Sequence, residues 1–394
     1  MNKIKVVFLF SLTLLFFSAC HNNGKNIADK DSNNGFISNP VKLDPQEVEI
    51  LPIGSAAPDF NLPNLNGEFK SLKDFKNAEV LVLVFTCNHC PTAQAYEDRV
   101  IQFTDEYTKK GVAVVAINSA SPLGLMYGES AYTDVDDSYE DMKIRAKDKG
   151  FNFPYLYDGD LQEASLKYGA MATPHIFVLD KERILRYQGR IDAYKNPAEG
   201  NCEDLKQAVD ELLAGEEVSN PETRFNGCST KWSWKAKHSK THAEKWAQRE
   251  VILNEIDNKG VKELLVNNTE NLQLINIWAS WCGPCVSEFP DLVKLHKIYG
   301  RRNFEFISLS TDKIEKKEEV LKFLKEEQAG VKNYIYSQED VYELIELVDA
   351  DWNGALPYTI LIEPGGNKVY KYQGEIEMLE IRKAIVEHKL LGRY

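Results

Sequence analysis

Two pairs of cysteines set the chemistry open to this chain. Cys87-Asn88-His89-Cys90 and Cys282-Gly283-Pro284-Cys285 each hold two thiols three residues apart. A thiolate attacks a disulfide sulfur, so paired thiols can exchange disulfides with a partner. A thiol at the first turn of a helix faces unsatisfied N–H groups and the positive end of the helix dipole, and both lower its pKa. Four cysteines could also hold zinc. Here residues 91 to 281 lie between the pairs. Each pair also follows a buried strand and opens a helix, which is not a zinc knuckle, so no metal is expected.

The elements around the two pairs come in the same order. Val80 to Phe85 is a continuous apolar run, as a strand buried on both faces requires. The cysteines follow, then Tyr96, Val100, Phe103 and Tyr107 at helical spacing, then Lys109-Lys110-Gly111 as a helix stop. Val112 to Ile117 is the next strand. Thr173-Pro174 precedes a strand at 176–179, and the hairpin after it ends in Tyr187-Gln188-Gly189 before a helix over 203–213. The second copy repeats this with strand 274–278, a stripe of Phe289, Leu292, Leu295 and Tyr299, and strand 304–309. Leu356-Pro357 precedes strand 358–362, the hairpin ends in Tyr372-Gln373-Gly374, and a last helix runs over 377–391. One order stated twice predicts two tandem domains of one α/β fold, each a central mixed sheet with flanking helices.

A CxxC at a strand-to-helix junction with a later X-Pro before a hairpin resembles the thioredoxin fold. The second copy, with Trp278-Ala279-Ser280-Trp281-Cys282-Gly283-Pro284-Cys285, Glu288 and Pro290, resembles TlpA-like thiol–disulfide reductases. The first, with Gly54 to Phe60, the 87–91 string and Gly227-Cys228-Ser229-Thr230-Lys231-Trp232, resembles the peroxiredoxin-like redoxin branch. The resemblance implies that Cys87 and Cys282 attack, and that Cys90 and Cys285 resolve. It implies cis bonds at Pro174 and Pro357, with Thr173 and Leu356 pairing to substrate. Gly283 and Pro284 match the reducing thioredoxins. His89 is expected to stabilise a Cys87 thiolate and make the first pair the more oxidising. The resemblance also implies a buried acid six residues before the first cysteine. Leu81 and Asn276 occupy those positions, so Glu288 becomes the candidate proton acceptor in the second domain. A thiol-dependent peroxidase is the rival activity, but counting back from Cys90 meets Cys87 and Leu83 where that chemistry needs Thr or Ser and Pro. A binding module with structural disulfides is the non-enzymatic alternative. No cofactor beyond redox-active disulfides is expected.

The rest of the chain supplies context. Asp plus Glu exceeds Lys plus Arg, 60 against 47, a net charge of −13 that argues against nucleic-acid binding. Lys3 and Lys5, the apolar run 6–17 and Ser18-Ala19-Cys20 make a secretory signal that resembles a bacterial lipobox. That implies cleavage before Cys20, lipid on its thiol, and a periplasm-facing lipoprotein of the cell envelope. His21 favours the outer membrane. The partners expected are cysteine-containing envelope proteins and a membrane thiol reductase. The domain expectation is a signal peptide at 1–19, a polar tether at 20–46 too poor in apolar residues to order itself, a redoxin domain at 47–219, a linker at 220–239 and a thioredoxin domain at 240–394. The linker carries Lys231, Lys235, Lys237 and Lys240 and is read as a connector whose tryptophans pack on a domain. Cys202 and Cys228 remain. A structural bridge between them, a third redox role, and free thiols all stay open.

Overall fold

A computed structural model of the chain describes residues 36–194, 196 and 199–393. The signal at 1–19, Cys20 and most of the tether lie outside the described residues. The first half opens with β1 (Leu62–Pro63) and β2 (Phe69–Lys70), then runs β3 (Val80–Thr86), α1 (Pro91–Tyr107), β4 (Val112–Asn118), α2 (Tyr139–Lys149), β5 (Tyr155–Tyr157) and α3 (Glu163–Tyr168). It closes with β6 (Ala172–Thr173), β7 (His175–Leu179), β8 (Leu185–Gly189), α4 (Glu203–Leu213) and β9 (Cys228–Ser229). The second half runs α5 (Ala236–Ala247), β10 (Leu253–Ile256), α6 (Asn258–Val266), β11 (Leu272–Trp278), α7 (Gly283–Tyr299), β12 (Phe304–Ser310) and α8 (Lys317–Glu326). It ends with β13 (Lys332–Tyr336), α9 (Val341–Val348), β14 (Tyr358–Ile362), β15 (Lys368–Gln373) and α10 (Met378–Glu387).

The two sheets share one topology. The first has the order β5-β4-β3-β7-β8, with β3, β4 and β5 parallel and β7 antiparallel to both neighbours. The second has β13-β12-β11-β14-β15 in the same sense and adds β10 at its edge, parallel to β13. The alternation of β3 explains its apolar run. Val80, Val82 and Val84 join the core under α1 and α4, while Leu81, Leu83 and Phe85 join the core on the opposite face with Tyr168 and Phe177. Strand β11 divides likewise, with Leu272, Leu274 and Trp278 on the α7 side and Ile275 and Ile277 on the other.

Three expectations are corrected. The tether does not extend to residue 46 as free chain. Phe36 packs edge-on to Tyr139 with ring centroids 4.8 Å apart, and Ser38 Oγ donates to Asp160 at 2.6 Å. One aromatic anchor and a few hydrogen bonds fix a segment whose composition alone cannot. The stretch 220–239 packs its tryptophans as expected, but does so as part of the first half and not as a solvated connector. Its Cys228–Ser229 forms β9 against β6, Trp232 is buried and stacks on Trp234, and Lys231 pairs with Glu129 at 2.6 Å. The last helix stops at Glu387, four residues early. The residues beyond it serve the contact between the two halves, where Gly392 O and, from the first half, Ala131 O both accept from Arg302 Nη1 at 2.8 Å.

Residues 127–136 of the first half carry much of that contact. Thr133 O accepts from Tyr299 Oη at 2.8 Å, and Ala131 sits in the second half's core. Arg382, nearly buried, reaches Asp136 at 3.0 Å, and Arg393 reaches Asp134 at 2.6 Å. Removing one partner of a buried ion pair costs more than the pair contributes, because the other charge stays behind. Arg382→Met should therefore destabilise the union of the halves by about 1–3 kcal/mol, less than a fully buried pair because Asp136 is partly open. Calorimetry should then resolve two transitions where the wild-type chain shows one. A single unshifted transition would show that the halves do not depend on this pair.

Candidate active sites

Each CxxC is aimed by the strand ladder beneath it. In the first sheet Phe85 pairs with His175, the residue after Pro174. In the second, Ile277 pairs with Tyr358, the residue after Pro357. Both prolines follow cis bonds, Thr173–Pro174 and Leu356–Pro357, as the sequence leads one to expect. Counting five residues on from each paired strand position arrives at Cys90 in one domain and Cys282 in the other. These two cysteines are the equivalent pair. Cys87 is equivalent to Ala279.

The helices agree with that register. Cys282 caps α7, and its sulfur accepts from the Cys285 N–H at 3.3 Å. Cys90 caps α1, and its sulfur accepts from the Ala93 N–H at 3.4 Å. The sequence leads one to expect Cys87, as the attacking thiol, at that helix start; the structure gives the helix-capping place to Cys90. Two local facts delay the helix. Asp137 accepts from the Asn88 N–H at 2.6 Å and bonds His89 Nδ1 at 2.5 Å, holding 87–89 as loop. Pro91 then takes the first helical position, where a missing N–H costs nothing.

The first site is buried. Cys87, His89, Cys90, Asp137 and Thr173 are all buried. Cys87 Sγ lies 3.1 Å from Thr173 Oγ1, and Cys90 donates to Thr173 O at 3.2 Å. Burial drives the Cys87 thiol well above the ordinary range, and the Cys90 hydrogen bond and the Asp137 charge add to this. Burial also opposes ionisation of Cys90, but hydrogen bonds from Cys228 and Cys87 and the charge of His89 outweigh it and hold Cys90 well below that range. Burial pulls His89 down, yet Asp137 more than compensates and its pKa is raised. His89 Nε2 lies 4.0 Å from Cys87 Sγ, the contact the sequence leads one to expect, and its charge also favours a thiolate at Cys90.

Cys202 and Cys228 form no bridge. Cys202 is a free, buried thiol whose Sγ donates to Arg99 O at 3.6 Å, and burial raises its pKa to about 12. Cys228 is also free and packs instead against Cys87 and Cys90. The sequence separation of 202 and 228 carried no hint of this. The Gly-Cys-Ser-Thr-Lys-Trp motif was the available signal. Among the described residues, one group can converge on a cation, Cys87, His89 and Asp137, whose donor atoms lie within 4.8 Å of one another. The His89–Asp137 bond already occupies that space.

The second site is more open. Cys282 and Cys285 form a disulfide, and Trp281 beside them is 73% exposed. Asp312 fixes the loop by accepting from the Ser280 N–H at 2.8 Å and from its hydroxyl at 2.7 Å. Gly283 and Pro284 open α7, and a side chain at Gly283 would meet nothing within 4 Å. Glu288, one turn beyond Cys285, is buried and not on a solvated face. It accepts from Asn276 Nδ2 at 2.9 Å and from the Ile376 N–H at 2.8 Å. Burial, against those two bonds, pushes its pKa up to about 7.

Comparison with known proteins agrees with this division. Residues 53–188 match the AhpC/TSA family and residues 255–384 match the redoxin family. The thioredoxin-like protein YneN of Bacillus subtilis is 29% identical over 133 residues, 34% of this chain and 68% of that protein. The thiol:disulfide interchange protein DsbE of Tatumella citrea is 28% identical over 152 residues, 37% of this chain and 69% of that protein. The thiol-disulfide oxidoreductase ResA of Oceanobacillus iheyensis is 25% identical over 145 residues, 34% of this chain and 60% of that protein. With these matches added to two sheets of one topology, each ending at a capping cysteine opposite a cis-proline, the chain carries two thioredoxin-fold domains in tandem, the first of the AhpC/TSA family and the second of the redoxin family.

Proposed function

We propose that this chain is a thiol–disulfide oxidoreductase whose exchange centre with protein substrates is Cys282–Cys285. The carrying observation is the capping position of Cys282 with a buried Glu288 one turn past Cys285, its pKa pushed up to about 7. In the dithiol form, Cys282 attacks a substrate disulfide, forms a mixed disulfide and releases one substrate thiol. Cys285 then gives its proton to the Glu288 carboxylate and attacks Cys282 Sγ. The Cys282–Cys285 bond closes and the second substrate thiol leaves. Two electrons pass from the chain to the substrate.

Leu356, before the cis-proline, offers its backbone to the substrate strand in this reading. The site of action is the cell envelope, with Cys20 as a lipid anchor, cysteine-containing envelope proteins as substrates and a membrane thiol reductase as electron donor. Support for the anchor comes from the N-terminal sequence. Among the described residues no helix is long and apolar enough to cross a membrane. Electron exchange between the two domains is part of the same proposal, motivated by their different CxxC dipeptides.

Two outcomes are expected. Insulin reduction by the full chain should vanish in Cys282→Ser, whereas Cys285→Ser should accumulate a mixed disulfide at Cys282, visible by mass. Turnover by Cys282→Ser at the wild-type rate would end the proposal. In the wild-type chain the resolving step should accelerate as pH rises through about 7, where Glu288 ionises. Glu288→Gln should lose that inflection and slow resolution by about 10²-fold. The stability profile has the opposite slope. A carboxyl raised from 4.5 to about 7 gives stability that is complete below 4.5 and lost as pH rises through about 7. Urea unfolding of the oxidised Glu288→Gln chain should therefore lack the wild-type decline over that window.

A further inference from the structure

Cys228 is built into the first site by devices that a connector would not need. Gly227 brings its backbone so close to the cis-proline loop that a Cβ there would sit 2.1 Å from Thr173 O. Cys228 then pairs with Thr173 across the β6–β9 ladder, and Ser229 with Ala172. Downstream, Thr230 Oγ1 donates to Ala170 O at 2.5 Å, and Lys231 O accepts from Gln162 Nε2 at 3.0 Å and from the Ser121 N–H at 2.8 Å. Thr173 is thus a common neighbour. Its hydroxyl touches Cys87, its carbonyl accepts from Cys90, and its strand partner is Cys228.

The three thiols gather at Thr173, with Cys228 packed against the cluster that holds Cys87 and Cys90. Interaction with each of the other two favours a thiolate at Cys90. Cys87 and Cys90 are buried, whereas Cys228 is partly exposed. Of the three, Cys228 is the thiol that an outside partner meets.

We propose that Cys228 is the third redox thiol of the first domain, exchanging with Cys87 for a disulfide to Cys90 and carrying electrons between that buried pair and external thiols. This rests on the oxidoreductase reading for the direction of flow. From a Cys87–Cys90 disulfide, the Cys228 thiolate attacks Cys90 Sγ. The Cys90–Cys228 bond forms, the Cys87–Cys90 bond breaks, and Cys87 leaves as a thiolate that takes up the proton Cys228 gave. No electrons are gained or lost in that step. An external thiolate then attacks Cys228 Sγ at the surface, forming a mixed disulfide and expelling the Cys90 thiolate. A second external thiol resolves the mixed disulfide, freeing Cys228. The two external thiols are oxidised to a disulfide and the domain is left as dithiol. A thiol that ionises easily leaves faster, which suits Cys90 to the central place.

The test is peptide mapping of the full chain oxidised with glutathione disulfide, acid-quenched and alkylated. Wild type should yield peptides joining Cys90 to Cys87 and peptides joining Cys90 to Cys228. Cys87→Ser should yield the Cys90–Cys228 peptide alone, and Cys90→Ser neither. Cys228→Ser should keep Cys87–Cys90, but its reduction by glutathione should slow by roughly tenfold or more. Absence of the Cys90–Cys228 peptide from both wild type and Cys87→Ser would overturn the proposal, as would unchanged reduction of Cys228→Ser. Cys87→Ser tests the bond with residue 228 intact, so a misfolded Cys228→Ser does not decide the matter. Insulin reduction with dithiothreitol, by wild-type chain taken before oxidation and alkylation, separates the two readings: its failure counts against the oxidoreductase, and a missing peptide counts against the third thiol.

Discussion

Both sites depend on one constraint, the antiparallel register between the strand that precedes the cysteines and the strand that follows the cis-proline. Phe85 opposite His175, and Ile277 opposite Tyr358, set a helix N-terminus against a proline loop in the same register in both domains. Whatever residue caps that helix receives the free N–H groups of its first turn. The ladder thereby selects Cys90 and Cys282, and the capping bonds from Ala93 and Cys285 follow from it. A slip of one residue would turn the cap to the other face of the sheet and leave no thiol at the helix end.

The same frame holds two different environments. In the second domain the cap lies beside an exposed tryptophan, and its proton chemistry is supplied from within α7 by Glu288. Asn276, where the resemblance calls for an acid, instead holds that carboxylate in place. In the first domain the cap is buried in one cluster with Cys87, against which Cys228 packs, with the His89–Asp137 pair nearby. Asp137 adjoins Asp136, which binds Arg382 of the second domain. The segment that joins the halves is therefore also the segment that keeps residues 87–89 out of the helix.

The tandem fold was legible because β3 and β11 are apolar runs buried on both faces and because the helical stripes and hairpin ends repeat. The placement of Cys282, Cys285 and Glu288 together was legible because they follow one another along α7. The placement of the first site's residues was less so, because its determinants are distant in sequence. Spacing alone cannot show that Asp137 would hold Asn88 and His89, or that Gly227 would lay Cys228 against Thr173. Composition failed at 36–46 for a related reason, since a single anchored aromatic decides whether a polar segment packs.

The central claim is that Cys90, not Cys87, is the first domain's counterpart of Cys282. Thiolate absorbance at 240 nm, titrated on the fully reduced chain with Cys282 and Cys285 replaced by serine, tests it directly. The account predicts one thiolate that persists well below the usual thiol range, retained in Cys87→Ala and lost in Cys90→Ala. Loss of that thiolate in Cys87→Ala with retention in Cys90→Ala would contradict it and return the attacking role to Cys87.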